Sequence, residues 1–287
     1  MTLRTFSVLN ESNKDQSLEL RCDLIDSEVS LNAISTSDIR IIGQLSNSSN
    51  GALLGEIAVE DELISVVVKP SMYENPLVDF EWGTLAKREV AAFELSKLLG
   101  WNLVPQTVLR DVENMESSVQ LFVPHDPREH YFTFAKSNTE SMEVFAVFDY
   151  LINNADRKAG HILSEKNESF SFSISTIVSE DDGLEISKKP DAVMRKDTTK
   201  FYGIDHGLSF NVEDKLRTVI WEFSEQAITE KILEDISKVF NNFEKILTPY
   251  ITEHEIEKTI LRAEQILMNP FHYALDANPR AFPWPLV

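Results

Sequence analysis

Four side chains in this 287-residue sequence have the types and settings that chemistry on a charged substrate needs. Lys69 ends the apolar run "ISVVVK", and Glu89 lies in the segment "GTLAKREVAAFELSKLLG" that follows. Asp156 sits in "NNADRKAGHIL" and Asp205 in "YGIDHGLSF", each bordered by residues that read as buried structure. An ammonium with a carboxylate partner can hold anionic oxygens, and a turn aspartate can take a proton. A carboxylate at the end of a buried strand can hold a cation.

In an alternating strand, Ile64, Val66 and Val68 face one way, while Leu63, Ser65, Val67 and Lys69 face the other. An ammonium among apolar neighbours is costly without a partner, and Glu89 is the natural one. A strand lysine paired to a helix glutamate is a way of holding the α- and β-phosphates of ATP. An exposed strand end and a solvated helix charge would account for the same two residues.

Asp156 lies on a turn after a helix, where it can accept a proton from an attacking hydroxyl or orient it. Aspartate also caps such turns for purely structural reasons. Asp205 follows Gly203 and Ile204, and the His206-Gly207 pair lets the chain turn. Mg²⁺ prefers one or two carboxylates with substrate phosphates, which this position can supply.

The elements that must position these groups are legible in outline. "IRIIGQL", "ALLGEIAV" and "LISVVVK" read as antiparallel strands, with the turn-rich "SNSSNG" (Ser46 to Gly51) between the first two. Helical spacing over Gly83 to Gly100 predicts the clearest helix, with Thr84 able to cap its start and Gly100 to end it. "LVPQTVLRD" and "SSVQLFVP" add two strands. The remainder is mostly helical: "SMEVFAVFDYLINN", then the amphipathic "SEQAITEKILEDISKVFNNFEKIL" and "TEHEIEKTILRAEQILM". The fold class expected is α+β: a β-rich first lobe with one long helix, then a mostly helical lobe. Residues 1–30 form an acidic N-terminal extension, 31–124 the first lobe and 125–287 the second. A charged insertion occupies 164–200, where "SFSFSIS" alternates like a strand.

Composition narrows the partners. A net charge of -20 argues against nucleic acid, whose backbone rewards lysine and arginine, and against an anionic leaflet. Cys22 is the only cysteine, so an intrachain disulfide is excluded and a reducing cytoplasm fits. No transmembrane span is expected, and "MTLRTFSVLNESNKDQ" lacks the apolar core of a signal peptide.

"DRKAGHIL" and "GIDHGLSF" resemble the catalytic and metal-binding loops of phosphatidylinositol 3-/4-kinase-like and HipA-like atypical kinases. With "GTLAKREVAAFELSKLLGWNLVPQTVLRD", "VQLFV" and "KLRTVIWEF", the chain from about residue 31 to 287 resembles an actinobacterial family of uncharacterised kinase-like proteins. The resemblance implies a bilobal kinase-like fold and an ATP- and Mg²⁺-dependent phosphotransferase with a hydroxyl acceptor (a protein, a small molecule or a lipid headgroup). Lys69 would bind the α/β-phosphates, Glu89 would orient it, and Ser48, Ser49 and Asn50 would cover the phosphates. Gln120, Leu121, Phe122 and Val123 would form the adenine-binding hinge. Asp156 would be the catalytic aspartate, with Arg157 and Lys158 beside it, and Asp205 the principal Mg²⁺ ligand. Lys215, Arg217 and Trp221 are candidate acceptor contacts, although core packing also explains Trp221.

The sequence departs from the family pattern at His161, where asparagine usually provides a second metal ligand. Imidazole suits Mn²⁺ or Zn²⁺ better than Mg²⁺, so His161 can bind metal, hydrogen-bond a phosphate or mark altered activity. Lys158 also replaces a usual histidine, and the phosphate loop lacks several glycines. Two alternatives follow: a nucleotide-binding pseudokinase, and a metal-dependent hydrolase using His161, Asp205 and His206 with His125 or His130.

Overall fold

β-Branched residues at alternate positions build the first half of the chain into a sheet, and the placement of Lys69 follows from that alternation. The computed structural model describes residues 17–19, 28–45, 51–59, 62–165, 171–173, 200–275 and 280–287. After a short strand β1 (Ser17–Glu19) come helix α1 (Glu28–Thr36) and strands β2 (Arg40–Gln44), β3 (Leu53–Val59) and β4 (Glu62–Pro70). Helix α2 (Leu85–Leu98) separates these from β5 (Thr107–Val112) and β6 (Met115–Leu121). The five strands from β2 to β6 form one antiparallel sheet in the order β2-β3-β4-β6-β5. Ile64, Val66 and Val68 are buried in the sheet's core with Ile57, Val119 and Leu121, which sends Lys69 to the other face.

Helix α1 was not evident from the sequence. It packs Ala33 and Ile34 into the sheet core and receives the Arg110 guanidinium at the carbonyls of Ile34 (3.0 Å) and Ser37 (2.8 Å). Helix α2 is buried along most of its length, including the charged Arg88 and Glu89. Thr84 does not cap it: its hydroxyl donates to the Glu81 carbonyl (2.7 Å). The Glu74 carboxylate serves instead, accepting from the N–H groups of Gly83 (2.8 Å) and Ala86 (3.1 Å) and meeting donors the helix leaves unpaired. Gly100 ends the helical segment at φ +73°, a conformation glycine adopts without a Cβ clash.

The second half comprises α3 (Tyr131–Phe134), α4 (Thr139–Leu151), β7 (Ile162–Ser164), β8 (Ser171–Ser173), β9 (Phe201–Gly203), α5 (Glu230–Val239), α6 (Phe243–Leu247) and α7 (Glu253–Met268). Strand β1 pairs antiparallel with β8, joining the N-terminal extension to the alternating segment of the insertion. Phe145, Phe148 and Ile152 share a core with Phe243, Leu247 and Ile266, and Ala91, Ala92, Phe93 and Leu95 of α2 belong to the same cluster. Helix α2 therefore lies between the sheet and the helices, with its C-terminal half anchored in the helical core. The antiparallel pair β7–β9 matters most for function. Ile162 pairs with Gly203 and Leu163 with Tyr202, so the turns carrying Asp156 and Asp205 emerge at the same end of one small hairpin.

Candidate functional site

Lys69 of the sheet, Glu89 of α2 and the turns flanking β7 and β9 meet where the sheet faces the helices. From the sheet, Lys69 Nζ contacts Glu89 Oε1 of α2 and lies 3.0 Å from Asp205 Oδ1. From the turn before β7, Asp156 Oδ2 accepts from Lys158 Nζ at 3.1 Å. His161 Nε2 stands 3.4 Å from Asp205 Oδ2. Ligand atoms of Asp156, His161 and Asp205 all lie within 4.8 Å of one another.

The local backbone explains this convergence. Asp205 takes φ +61°, rare for a non-glycine residue, and this turns the chain sharply after β9. The His206 N–H then donates to Glu89 Oε2 (2.9 Å), so Glu89 holds the lysine with one oxygen and the turn after Asp205 with the other. Asn153 (φ +51°) reverses the chain after α4, and its side chain bonds the carbonyls of Asn211 (2.9 Å) and Glu213 (2.6 Å). Asn154 Oδ1 accepts the Asp156 N–H (3.0 Å). Residues 215–219 run alongside this loop: Arg217 N–H donates to Asn154 O and Arg157 N–H to Arg217 O, both 2.9 Å.

Arg157 is fully buried. It forms an ion pair with Asp149 (2.9 Å) and donates to the carbonyls of His161 (3.3 Å) and Ile204 (2.9 Å). It also lies 2.7 Å from His206 Nε2. A guanidinium cannot accept, so that ring nitrogen must, and the His206 proton resides on Nδ1. The guanidinium therefore ties the two aspartate-bearing turns together from within the core.

The electrostatics separate the two aspartates. The Lys69 ammonium holds the Asp205 carboxyl well below the usual carboxylate range, against the opposing effect of burial. Burial raises Asp156 above its ordinary value despite Lys158. Burial alone would lower Lys69, but Asp205 and Glu89 outweigh it and raise the ammonium further. His161 is pushed down to about 4 by burial, so its ring is neutral at pH 7. A neutral imidazole with two nearby carboxylates is a donor set that fits a divalent cation, with the hard oxygens suited to Mg²⁺ and the nitrogen to Mn²⁺.

Ser48, Ser49 and Asn50 lie outside the described residues. The ends of their loop are joined where Leu45 N–H donates to Ala52 O (2.9 Å), ahead of β3. In the expected hinge, Gln120 is buried and bonds Thr107, and two N–H groups serve the sheet: Leu121 to Gln106 O (2.9 Å) and Phe122 to Ser65 O (3.0 Å). Val123 O accepts from the His125 ring at 2.7 Å. Lys215 forms ion pairs with Asp79 (2.9 Å) and Glu213 (3.0 Å). Trp221 donates to Ala281 O (3.1 Å) and packs near Phe282, which places it against the C-terminal segment. Among the described residues, His125, His130 and His206 do not join the Asp156–His161–Asp205 group.

Sequence reasoning missed Asp149, Arg88 and Glu255. Of these only Asp149 carried a local signal, as a charge within the strongly apolar "VFAVFDYLINN", where it requires a partner.

Residues 78–275 match the family described as phosphatidylinositol 3- and 4-kinase. Protein Rv2133c of Mycobacterium tuberculosis (strain ATCC 25618 / H37Rv) is 30% identical, the match spanning 86% of this chain and 92% of that protein. Among solved structures, hydra Fam20 with sugar is similar at a TM-score of 0.47 and 16% identity, covering 84% of this chain and 88% of its own. Helicobacter pylori proinflammatory kinase CtkA is similar at 0.47 and 11% identity, covering 82% and 93%.

Proposed function

The chain belongs to the phosphatidylinositol 3- and 4-kinase family, and from that membership we propose that it is an ATP-dependent phosphotransferase acting on a hydroxyl group. The observation that carries this reading is the meeting of Lys69, Glu89 and Asp205, with Asp156 and His161 beside them. Lys69 binds the α- and β-phosphates, and Glu89 holds its ammonium in place. Asp205 is the principal ligand for Mg²⁺ and His161 the second, an arrangement that also accommodates Mn²⁺. When bound, the cation neutralises phosphate charge, the main requirement of phosphoryl transfer.

Asp156 orients the acceptor hydroxyl and takes its proton. Its raised pKa makes it a better proton acceptor than an ordinary aspartate. Lys158, 3.1 Å away, is placed to follow the transferred phosphoryl group. Arg157 keeps the loop in register. Ser48, Ser49 and Asn50 cover the phosphates, and the hinge from Gln120 to Val123 receives the adenine, chiefly at Val123 because the N–H groups of Leu121 and Phe122 serve the sheet. Arg217 and Lys215 line the acceptor side.

The acceptor is a protein, small-molecule or headgroup hydroxyl, and the net charge of -20 disfavours nucleic acid. No helix among the described residues is long and apolar enough to cross a membrane, and the lone Cys22 suits the cytoplasm. Kinship with HipA-type kinases and an actinobacterial branch belongs to the same reading.

One observation favours a second reading, a nucleotide-binding pseudokinase: His161 occupies the expected asparagine position and faces Asp205 at 3.4 Å. Incubating the protein with γ-labelled ATP and cell extract, then separating proteins, lipids and small molecules, tests both. Transfer that disappears in Asp156→Asn supports the phosphotransferase. Nucleotide binding without any transfer supports the pseudokinase.

A further inference from the structure

Helix α2 grips the turn after Asp205 at both ends, and only one of the two gripping residues enters the reading above. Glu89 Oε2 takes the His206 N–H at 2.9 Å. One residue earlier, Arg88 Nη1 donates to the Ser209 carbonyl at 2.7 Å. Between these points Gly207 lies against the helix so closely that a Cβ there would stand 3.2 Å from Leu85 Cβ.

Arg88 also continues into the helical half. Its Nη2 donates to Glu255 Oε1 at 2.5 Å, and the Phe80 ring covers the guanidinium at 5.0 Å. Glu255 Oε2 is itself fixed at the start of α7 by the N–H (2.9 Å) and hydroxyl (2.8 Å) of Thr252. The Arg88 and Glu255 side chains are 5% and 9% exposed, so neither can exchange its partner for water at low cost.

We infer that Arg88 is a positioning residue for Asp205. A non-glycine residue in the left-handed region persists where its surroundings over-determine it. Here the bonds at His206 N–H and Ser209 O bracket the turn and hold the Asp205 backbone at φ +61°. Glu89 makes the first bond from the same helix that Arg88 fastens to α7, so losing Arg88 loosens both ends of the turn. The inference rests on the phosphotransferase reading for what Asp205 binds, but not for how the turn is held.

Two measurements on the full chain test it, using wild type, Arg88→Met, Arg88→Lys and Glu255→Gln. The first is amide hydrogen exchange without nucleotide or metal. Arg88→Met is expected to cost the amides from His206 to Phe210 at least tenfold in protection, while those of α4 keep theirs. The second is the Mg²⁺ concentration giving half-maximal binding of a fluorescent ATP analogue. It is expected to rise roughly tenfold or more in Arg88→Met, as when groups orienting a metal ligand are removed. Arg88→Lys keeps the charge but cannot reach both partners, so it shifts less in the same direction. A purely structural arginine would lower protection evenly across α4 and the turn and leave the Mg²⁺ midpoint of folded protein unchanged, and that result overturns the inference. Should Arg88→Met fail to fold, Glu255→Gln must show the same shifts at smaller size, and an unchanged turn there overturns it equally. Wild type that binds no nucleotide at any Mg²⁺ concentration overturns the phosphotransferase reading, while the exchange at His206 to Phe210 still decides the role of Arg88.

Discussion

Lys69 Nζ and Asp205 Oδ1 stand 3.0 Å apart although 136 positions separate them in the chain. The ammonium comes from the sheet and the carboxylate from the turn after β9, so this pair joins the sheet to the second half of the chain. Lys69→Met removes the cation and leaves the Glu89 carboxylate, only 3% exposed, without its ammonium. Turnover is expected to fall roughly 10²–10³-fold, as when one preorganised charge-stabilising donor is lost. ATP titration of the variant, with unfolding followed in parallel, checks this.

Asp156→Asn keeps the shape of the side chain and removes the proposed base. Phosphate transfer is expected to drop by about 10²–10⁴-fold with the fold retained. Because burial raises the Asp156 pKa, the acid limb of the wild-type pH–rate profile is expected above the ordinary aspartate range. Activity is lost as pH falls through that raised value, and rates measured from pH 4 to 8 locate the limb.

Arg157 and Asp149 are both fully buried, and the guanidinium reaches both aspartate-bearing turns. Arg157→Met leaves Asp149 as an uncompensated buried charge, so about 3–5 kcal/mol of stability is expected to be lost. Denaturant unfolding measures it. A variant of wild-type stability with a purely catalytic defect contradicts the structural placement of Arg157.

His161 gives the stability a pH dependence. Its pKa falls from about 6.5 in the unfolded chain to about 4 in the fold, so its contribution is fully present above pH 6.5. It is lost progressively as pH falls toward 4, by an amount on the order of 1–3 kcal/mol. His161→Asn is expected to flatten that part of the stability curve. It is also expected to shift the metal preference of turnover from Mn²⁺ toward Mg²⁺, since an amide oxygen is harder than imidazole. Melting curves across the pH range, and rates with each metal, test the two effects.

The parts of this site that could be read from sequence are those with a local signature. Lys69 follows an alternating apolar run, and Asp156 and Asp205 interrupt apolar segments with tight polar turns, so each announces itself within about ten residues. Groups whose partners lie far along the chain give no such signal. Thr84 looked like the cap of α2 because caps are usually local, whereas Glu74 supplies the acceptor from the preceding loop. Arg88 reads as an ordinary helix charge until Glu255, 167 positions away, appears beside it. Helix α1 is short and weakly patterned, and what secures it is burial of Ala33 and Ile34 against strands that come later in the chain. The expected hinge is a strand end whose N–H groups are partly consumed by Ser65 and Gln106, a fact that register alone determines.

On the proposed reading, Lys69, Asp156 and Asp205 surround the phosphates of a metal-bound nucleotide. Calorimetric titration of ATP with and without Mg²⁺, into wild type and Asp205→Ala, tests it most directly. The account predicts Mg²⁺-dependent binding by wild type and its loss in a variant that melts normally. Wild-type protein that binds no ATP, or an Asp205→Ala variant that binds Mg²⁺ and ATP as wild type does, would contradict it.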